Sequence, residues 1–219
     1  DPHDPDRVYV MGTILQVSTD GAATWEEGRV APQIHVDHHA MWIDPDDGRH
    51  IIIGNDGGVA ITWDRGDEWD YIPNLPITQF YHIGVDTRSP FYYVCGGTQD
   101  NNTLCGPTGT RNEDGIVNDD WYITVGGDVF YAQIDPRDSN IVYSESQYGN
   151  LVRFHPESGE RKFIQPLPPE GEDYRWNWSA PVVISDHDPD VVYFAANKVF
   201  RSGGQGDDWA EIRPDITRQ

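Results

Sequence analysis

Four aspartates sit where a carboxylate could do chemistry: Asp37, Asp56, Asp100 and Asp128, each in a short polar stretch beside glycines, amides or imidazoles. Two carboxylates held at a defined separation are what glycoside hydrolysis requires, one as general acid and the other as base or nucleophile. Asp56, Asp100 and Asp128 are the catalytic candidates, and Asp37 with His38 belongs with the ligand-binding groups. Aspartate also dominates tight turns, where it accepts hydrogen bonds from its own backbone. For Asp56 and Asp100 that structural role stands beside the catalytic one.

The run His35-Val36-Asp37-His38-His39 contains residue types that ligate divalent ions. Its spacing is poor for the purpose, because adjacent residues of a strand point to opposite faces and His38 and His39 cannot readily reach one ion. A hydrogen-bonded histidine network is the reading taken, and neither a metal nor a cofactor is expected. Gln79, Tyr81 and His82, Gln99, and Gln147 with Tyr148 add amides and aromatics of the kind that orient and contact a sugar or peptide. Tyr174-Arg175-Trp176-Asn177-Trp178 follows a proline-rich loop. Arg175, Trp176 and Trp178 there form either a stacking platform or a wedge of core between neighbouring elements.

What positions these residues is a repeat. Segments leading into β-branched or aromatic runs begin at Asp1, Asp44, Asp86, Asp135 and Ser185, which lie 43, 42, 49 and 50 residues apart. A period of roughly 40 to 50 residues built only of short strands is the mark of a β-propeller blade. The copy around Asp44 parses completely, with strands over 38–43, 50–54, 59–63 and 69–72 separated by turns. The first copy lacks a first strand, the third has an irregular stretch over 106–120, and the fourth has a plain turn over 156–159. The expected fold is therefore an all-β propeller region spanning residues 1–219, with four-stranded antiparallel blades near 1–34, 35–76, 77–126, 127–176 and 177–219. A chain opening in mid-pattern is expected to be a fragment of a larger propeller. Strand alternation places the first-strand starts and the turns between second and third strands on one face, which becomes the expected binding mouth.

Composition narrows the function. Thirty-seven acidic against fifteen basic residues give a formal charge of −22, which disfavours nucleic acid and anionic membranes as partners. No apolar run is long enough to span a bilayer, so membrane insertion is not expected. Cys95 and Cys105 flank the polar turn 98–102, where a disulfide and two buried thiols are both open.

Three stretches share a turn pattern of the form Ser/Thr-x-Asp-x-Gly-x-x-Trp: Ser18 to Trp25, Thr62 to Trp69 and, more loosely, Ser202 to Trp209. Together with Gly54-Asn55-Asp56-Gly57-Gly58, Gln79-Phe80-Tyr81-His82, Gly97-Thr98-Gln99-Asp100-Asn101 and Ser146-Gln147-Tyr148-Gly149-Asn150, they resemble the Asp-boxes and blade tips of bacterial BNR-repeat propellers, described as sortilin-like (Vps10-type) or as relatives of xyloglucanase-type glycoside hydrolases. The resemblance covers essentially the whole chain and implies an exported, secreted or periplasmic protein. It is specific for fold, since this fold hosts hydrolases, lectins and receptors alike. In xyloglucanase-type enzymes a catalytic aspartate occupies a Thr-Asp-x-Gly-Gly turn, which Asn55 to Gly58 approximates without the threonine or the intervening residue, so Asp56 alone carries over. The arginine cluster and Arg-Ile-Pro motif of sialidases are not found. The expectation is a glycosyl-hydrolase-like propeller acting on or binding a carbohydrate at its mouth. The alternatives are a sortilin-like peptide- or protein-binding module and a structural subunit joined to other domains or subunits.

Overall fold

The computed structural model describes residues 1–75 and 77–217. Its eighteen described strands fall into five antiparallel sheets, each built from strands consecutive in sequence and neighbouring in space. This up-and-down order is the topology of a propeller blade. Blade 1 contains β1 (Val8–Val10), β2 (Gln16–Ser18) and β3 (Glu26–Glu27). Blade 2 contains β4 (His38–Ile43), β5 (Ile51–Asn55), β6 (Gly58–Thr62) and β7 (Asp70–Ile72). Blade 3 has three strands, β8 (Phe80–Val85), β9 (Tyr93–Thr98) and β10 (Thr103–Pro107). Blade 4 comprises β11 (Val129–Ile134), β12 (Val142–Ser146), β13 (Asn150–His155) and β14 (Glu160–Phe163). Blade 5 comprises β15 (Val182–Ile184), β16 (Val192–Ala195), β17 (Val199–Ser202) and β18 (Ala210–Arg213). The chain divides into two compact units, Asp1–Ile77 with blades 1 and 2, and Thr78–Gln219 with blades 3 to 5.

The repeat is written in local hydrogen bonds. In blades 2 to 5, at the turn after the first strand, Asp44, Asp86 and Asp135 accept through Oδ1 from the backbone N–H two residues on, at 2.8, 3.2 and 2.8 Å, and Ser185 does the same through Oγ at 3.2 Å. Three residues later Asp47, Asp138 and Asp188 repeat the bond at 3.1, 2.9 and 3.1 Å. Such Asx and Ser turns explain why aspartate recurs at this offset without any chemistry being required of it.

The turns β2–β3, β6–β7 and β17–β18 have a hydroxyl at their centre. Thr62 Oγ1 donates to Asp64 Oδ1 at 2.7 Å and accepts from Gly66 N at 3.0 Å, while Asp64 Oδ1 accepts from Glu68 N at 3.0 Å. Ser18 and Asp20 repeat this with Ala22 and Thr24. In blade 5 the carboxylate has moved. Ser202 Oγ donates to Asp208 Oδ1 at 2.6 Å and accepts from Gly204 N and Gly206 N at 3.1 and 2.7 Å. Asp208 thus fills from the far side of the turn the place that Asp64 fills from the near side. In all three turns the third and fourth residues after the hydroxyl have positive φ: Gly21 and Ala22, Arg65 and Gly66, Gln205 and Gly206. That geometry makes the hydroxyl the common acceptor.

Buried apolar residues lie between consecutive blades. In the first unit Leu15, Ile34, Ile51, Ile53, Ala60 and Trp69 pack together. In the second, one cluster joins Cys95 and Cys105 to Ala132, Ile134 and Val142, and another joins Tyr143 and Leu151 to Ala180, Val182 and Phe194. In blades 2 and 5 the tryptophan after the hydroxyl turn reaches back to the preceding blade: Trp69 Nε1 donates to Arg29 O at 2.8 Å, and Trp209 Nε1 to Ile164 O at 2.6 Å. Blade 3 departs from the pattern. Cys95 and Cys105 face each other on β9 and β10 and form a buried disulfide. In the place of a fourth strand a short bridge pairs Cys105 with Tyr122, after a 3-10 turn at Asn118–Asp120.

Candidate functional site

In the first unit, the hairpin between β5 and β6 is a two-residue turn, Asp56-Gly57, flanked by the pair Asn55 and Gly58. Asn55, the neighbour of Asp56, makes the local turn bond: its Oδ1 accepts from Gly57 N at 2.9 Å. Asp56 points elsewhere, and its Oδ1 lies 2.7 Å from His39 Nε2. The dyad is open to solvent on the histidine side. His38, one residue earlier on β4, is buried, and burial holds its imidazole below the usual histidine range against the opposing pull of Asp37. The two histidines lie at an irregularity in the pairing of β4 with β5, His38 buried and His39 exposed. Asp37 has a left-handed backbone, φ 61°, fixed by its N–H donating to Thr13 O at 3.0 Å.

In the second unit, the tip between β9 and β10 carries Gln99, Asp100, Asn101 and Asn102, with Asp100 and Asn102 in the left-handed region at φ 58° and 71°. Asp and Asn tolerate that region better than other side chains. The tip is tied to the next blade. Asp128 Oδ1 accepts from Asp100 N at 2.9 Å, and Asn102 N donates to Gly127 O at 3.1 Å. Gln147 pairs with the backbone of the same Asp128, accepting from its N at 3.1 Å and donating to its O at 3.3 Å. Buried Asp128 therefore stands as the anchor of two blade tips, and Asp100 contributes its backbone to the contact. Gln79 takes part through its carbonyl, which accepts from Gln99 N at 3.1 Å.

The aromatic candidates separate into two groups. Trp176 is core: its ring lies 4.8 Å from Phe194 and packs into the cluster between blades 4 and 5. Arg175 is held by Asp215 and Thr217, each 2.6 Å from its Nη2, and its N–H donates to Asn197 Oδ1, so it fastens the end of the described chain instead of lining a platform. Bonds from Thr217, Asn197 and Arg175 hold the Asp215 carboxyl far below the usual range. His82 stacks on Tyr131 at 4.2 Å.

Trp178, by contrast, is 42% exposed and meets Tyr148, 59% exposed, edge to face at 4.9 Å. Trp178 also meets Phe130 at 6.3 Å, and Phe130 meets Tyr81 at 4.6 Å. Tyr81, Phe130, Trp178 and Tyr148 thus form a continuous aromatic row across blades 3, 4 and 5, on the edge formed by the first-strand starts and the tips. Tyr81, Tyr148 and Trp178 expose their rings, and buried Phe130 is the floor between them. Phe130 was missed because it reads as one more apolar residue of β11.

A second residue was missed altogether. Glu145, the penultimate residue of β12, is fully buried and its Oε1 accepts from Ala180 N at 2.9 Å. Burial pushes its carboxyl up to about 8. In sequence it is an acidic residue between two serines, with nothing to mark it as covered.

No family model matches the sequence, and no curated protein matches it either. Solved structures do resemble the fold. The GH74 xyloglucanase from Xanthomonas campestris shares 18% identity over 98% of this chain and 38% of that chain, with a TM-score of 0.43. YCF48 bound to D1 peptide shares 15% over 94% of this chain and 63% of that one, with a TM-score of 0.41. The GH74 enzyme of Niastella koreensis shares 14% over 96% and 37%, also at 0.41. The chain spans less than two thirds of the length of each, and likeness at this level assigns no activity. By its own repeat of antiparallel blades the chain is a β-propeller protein, and the structures it resembles include GH74 glycoside hydrolases.

Proposed function

We propose that the second unit binds a carbohydrate on the aromatic row, within an exported propeller of the Asp-box type related to sortilin-like and xyloglucanase-type proteins. The observation that carries the reading is the row itself: exposed rings of Tyr81, Trp178 and Tyr148 arranged around Phe130 offer apolar faces of the size of sugar rings. The amide of Gln99 lies on a tip of the same blades and supplies hydrogen bonds for orientation, while Gln147 holds the Asp128 backbone beside it. The hydroxyl-centred turns support the Asp-box assignment, and the buried Cys95–Cys105 disulfide supports an oxidising, extracytoplasmic location.

Hydrolysis is the second reading, favoured by one observation. The Asp56 carboxylate lies 2.7 Å from His39 Nε2, an arrangement across which a proton can pass. Asp100 and Asp128 fit a catalytic pair less well, because the Asp128 carboxylate holds the Asp100 backbone.

A glycan array followed by titration calorimetry and product analysis separates these readings. Trp178→Ala and Tyr148→Ala are expected to weaken the tightest-binding oligosaccharide about tenfold each, or ~1.4 kcal/mol. Asp56→Asn leaves that affinity unchanged, and it abolishes turnover only if the chain hydrolyses the glycan. Unchanged affinity in both aromatic variants overturns the platform.

A further inference from the structure

The two most exposed rings of the row sit on segments that nothing covalent holds together. Tyr148 occupies the turn between β12 and β13 and has a left-handed backbone, φ 60°, which is costly for a bulky side chain and persists only where the surroundings impose it. Trp178 belongs to the link before β15. Tyr148 N donates to Trp178 O at 3.2 Å, and Gln165 Nε2 donates to Tyr148 O at 3.0 Å.

Beneath this contact lies Glu145. Its carboxyl receives the N–H of Ala180, two residues beyond Trp178, at 2.9 Å through Oε1. Glu145 stands on β12 three residues before Tyr148, so this one bond ties the strand that leads into the Tyr148 turn to the Trp178 segment. Its second oxygen, Oε2, is buried with no hydrogen-bond partner among the described residues. We propose that Glu145 is the positioning residue of the platform: its neutral carboxyl clamps the Tyr148 turn to the Trp178 segment, and its ionisation opens the clamp and weakens ligand binding. The ligand part of this rests on the platform reading above; the clamp does not.

The physical reason is the uncovered oxygen. A neutral acid can be buried with one partly satisfied oxygen at modest cost, whereas a carboxylate in that place must either be hydrated or remain charged and dry. Hydration requires the Tyr148 and Trp178 segments to part. The groups around Glu145 do not supply a compensating cation. Tyr131 stands opposite it on β11, with His82 of β8 stacked on that ring. Tyr143 lies two residues away on β12, its own hydroxyl pushed up by burial. On β13 Arg153 is engaged by Gln205 O and Asp207, in the link Arg175 is engaged by Asp215, and Lys198 is engaged by Glu172 and Glu211.

The test uses the whole chain without ligand first. Trp178 emission, taken as the difference between the unaltered chain and Trp178→Phe, is followed from pH 6 to pH 10. A transition with a midpoint near 8 is expected, absent in Glu145→Gln, which stays at the low-pH level, and unchanged in His82→Gln. Glu145→Leu, unable to accept the Ala180 N–H, is expected at the high-pH level throughout. No transition, or the same transition in Glu145→Gln, overturns the clamp. With the array's tightest-binding oligosaccharide, Kd is expected to rise at least fivefold between pH 7 and pH 9 in the unaltered chain and to stay flat in Glu145→Gln. If no glycan binds but the emission titrates as described, the clamp stands and the carbohydrate reading falls.

Discussion

Between pH 4.5 and about 8 the folded chain keeps a proton on Glu145 that the unfolded chain has already released. Stability from this group is therefore complete below 4.5, falls by at most ~1.4 kcal/mol per pH unit through that window, and levels above 8. Urea unfolding at pH 5, 6.5 and 8 is expected to show the decline, and Glu145→Gln to flatten it. Asp20 acts at the other end: its bonds from Thr24 and Ser18 hold it at about 2, so its stabilisation is present above 3.8 and lost as pH falls through 2. Single residues were the least legible level of the sequence. Asp56 was visible because it breaks an apolar pattern at a hairpin, but its partner His39 lies 17 residues away and depends on the register of β4 and β5. Trp176 and Trp178 look equivalent in sequence, yet one is core and the other exposed, because the blade 4 surface covers only one of them. Glu145 was invisible, since alternation shows which residues share a face and not whether a neighbour covers it.

Elements were read far more readily. The strands anticipated over 38–43 and 69–72 correspond to β4 and β7, and those over 50–54 and 59–63 to β5 and β6 shifted by one residue. Turn chemistry explains this success: Asp-x-x-Asp and the hydroxyl-centred turns fix strand ends by bonds to residues two to four positions away, which a linear sequence records directly. What was not legible is that blade 5 keeps the turn while relocating its carboxylate. Gly204 stands where Asp20 and Asp64 stand, and a Cβ there would come within 2.9 Å of Asp208 Oδ1. The two positions are thus alternatives for one site. Asp208→Thr is expected to destabilise the fold by removing a charge-assisted acceptor of the turn. Gly204→Asp alone crowds two carboxylates around Ser202 and is also expected to destabilise. The double substitution restores the arrangement of blade 1, so denaturation of all four proteins should give a coupling energy of opposite sign to the two losses.

At the scale of the molecule, an excess of 22 negative charges opposes compaction everywhere at once. Many of the cations already serve local ion pairs, among them Arg137 with Asp135 and Asp190, and Arg153 and Lys162 with Asp207. Exposed pairs of this kind contribute little. Added sodium chloride should therefore relieve more repulsion than it removes attraction, and Tm measured by calorimetry is expected to rise by several degrees between 10 mM and 500 mM salt. A Tm that falls would show the pairs to outweigh the field. The blade repeat itself was legible because its period survives in turn residues even where strands differ in length. The irregular third blade was legible as a break in that period, though not its disulfide-backed bridge to Tyr122. The tryptophans that reach back from Trp69 to Arg29 and from Trp209 to Ile164 give the repeat a direction. During synthesis the edge of blade 1 or of blade 4 cannot be finished until nearly the whole of its successor has left the ribosome. Each of these blades waits for the next as a course of roof tiles waits for the one laid over it, and pauses in translation would be best tolerated just after these tryptophans.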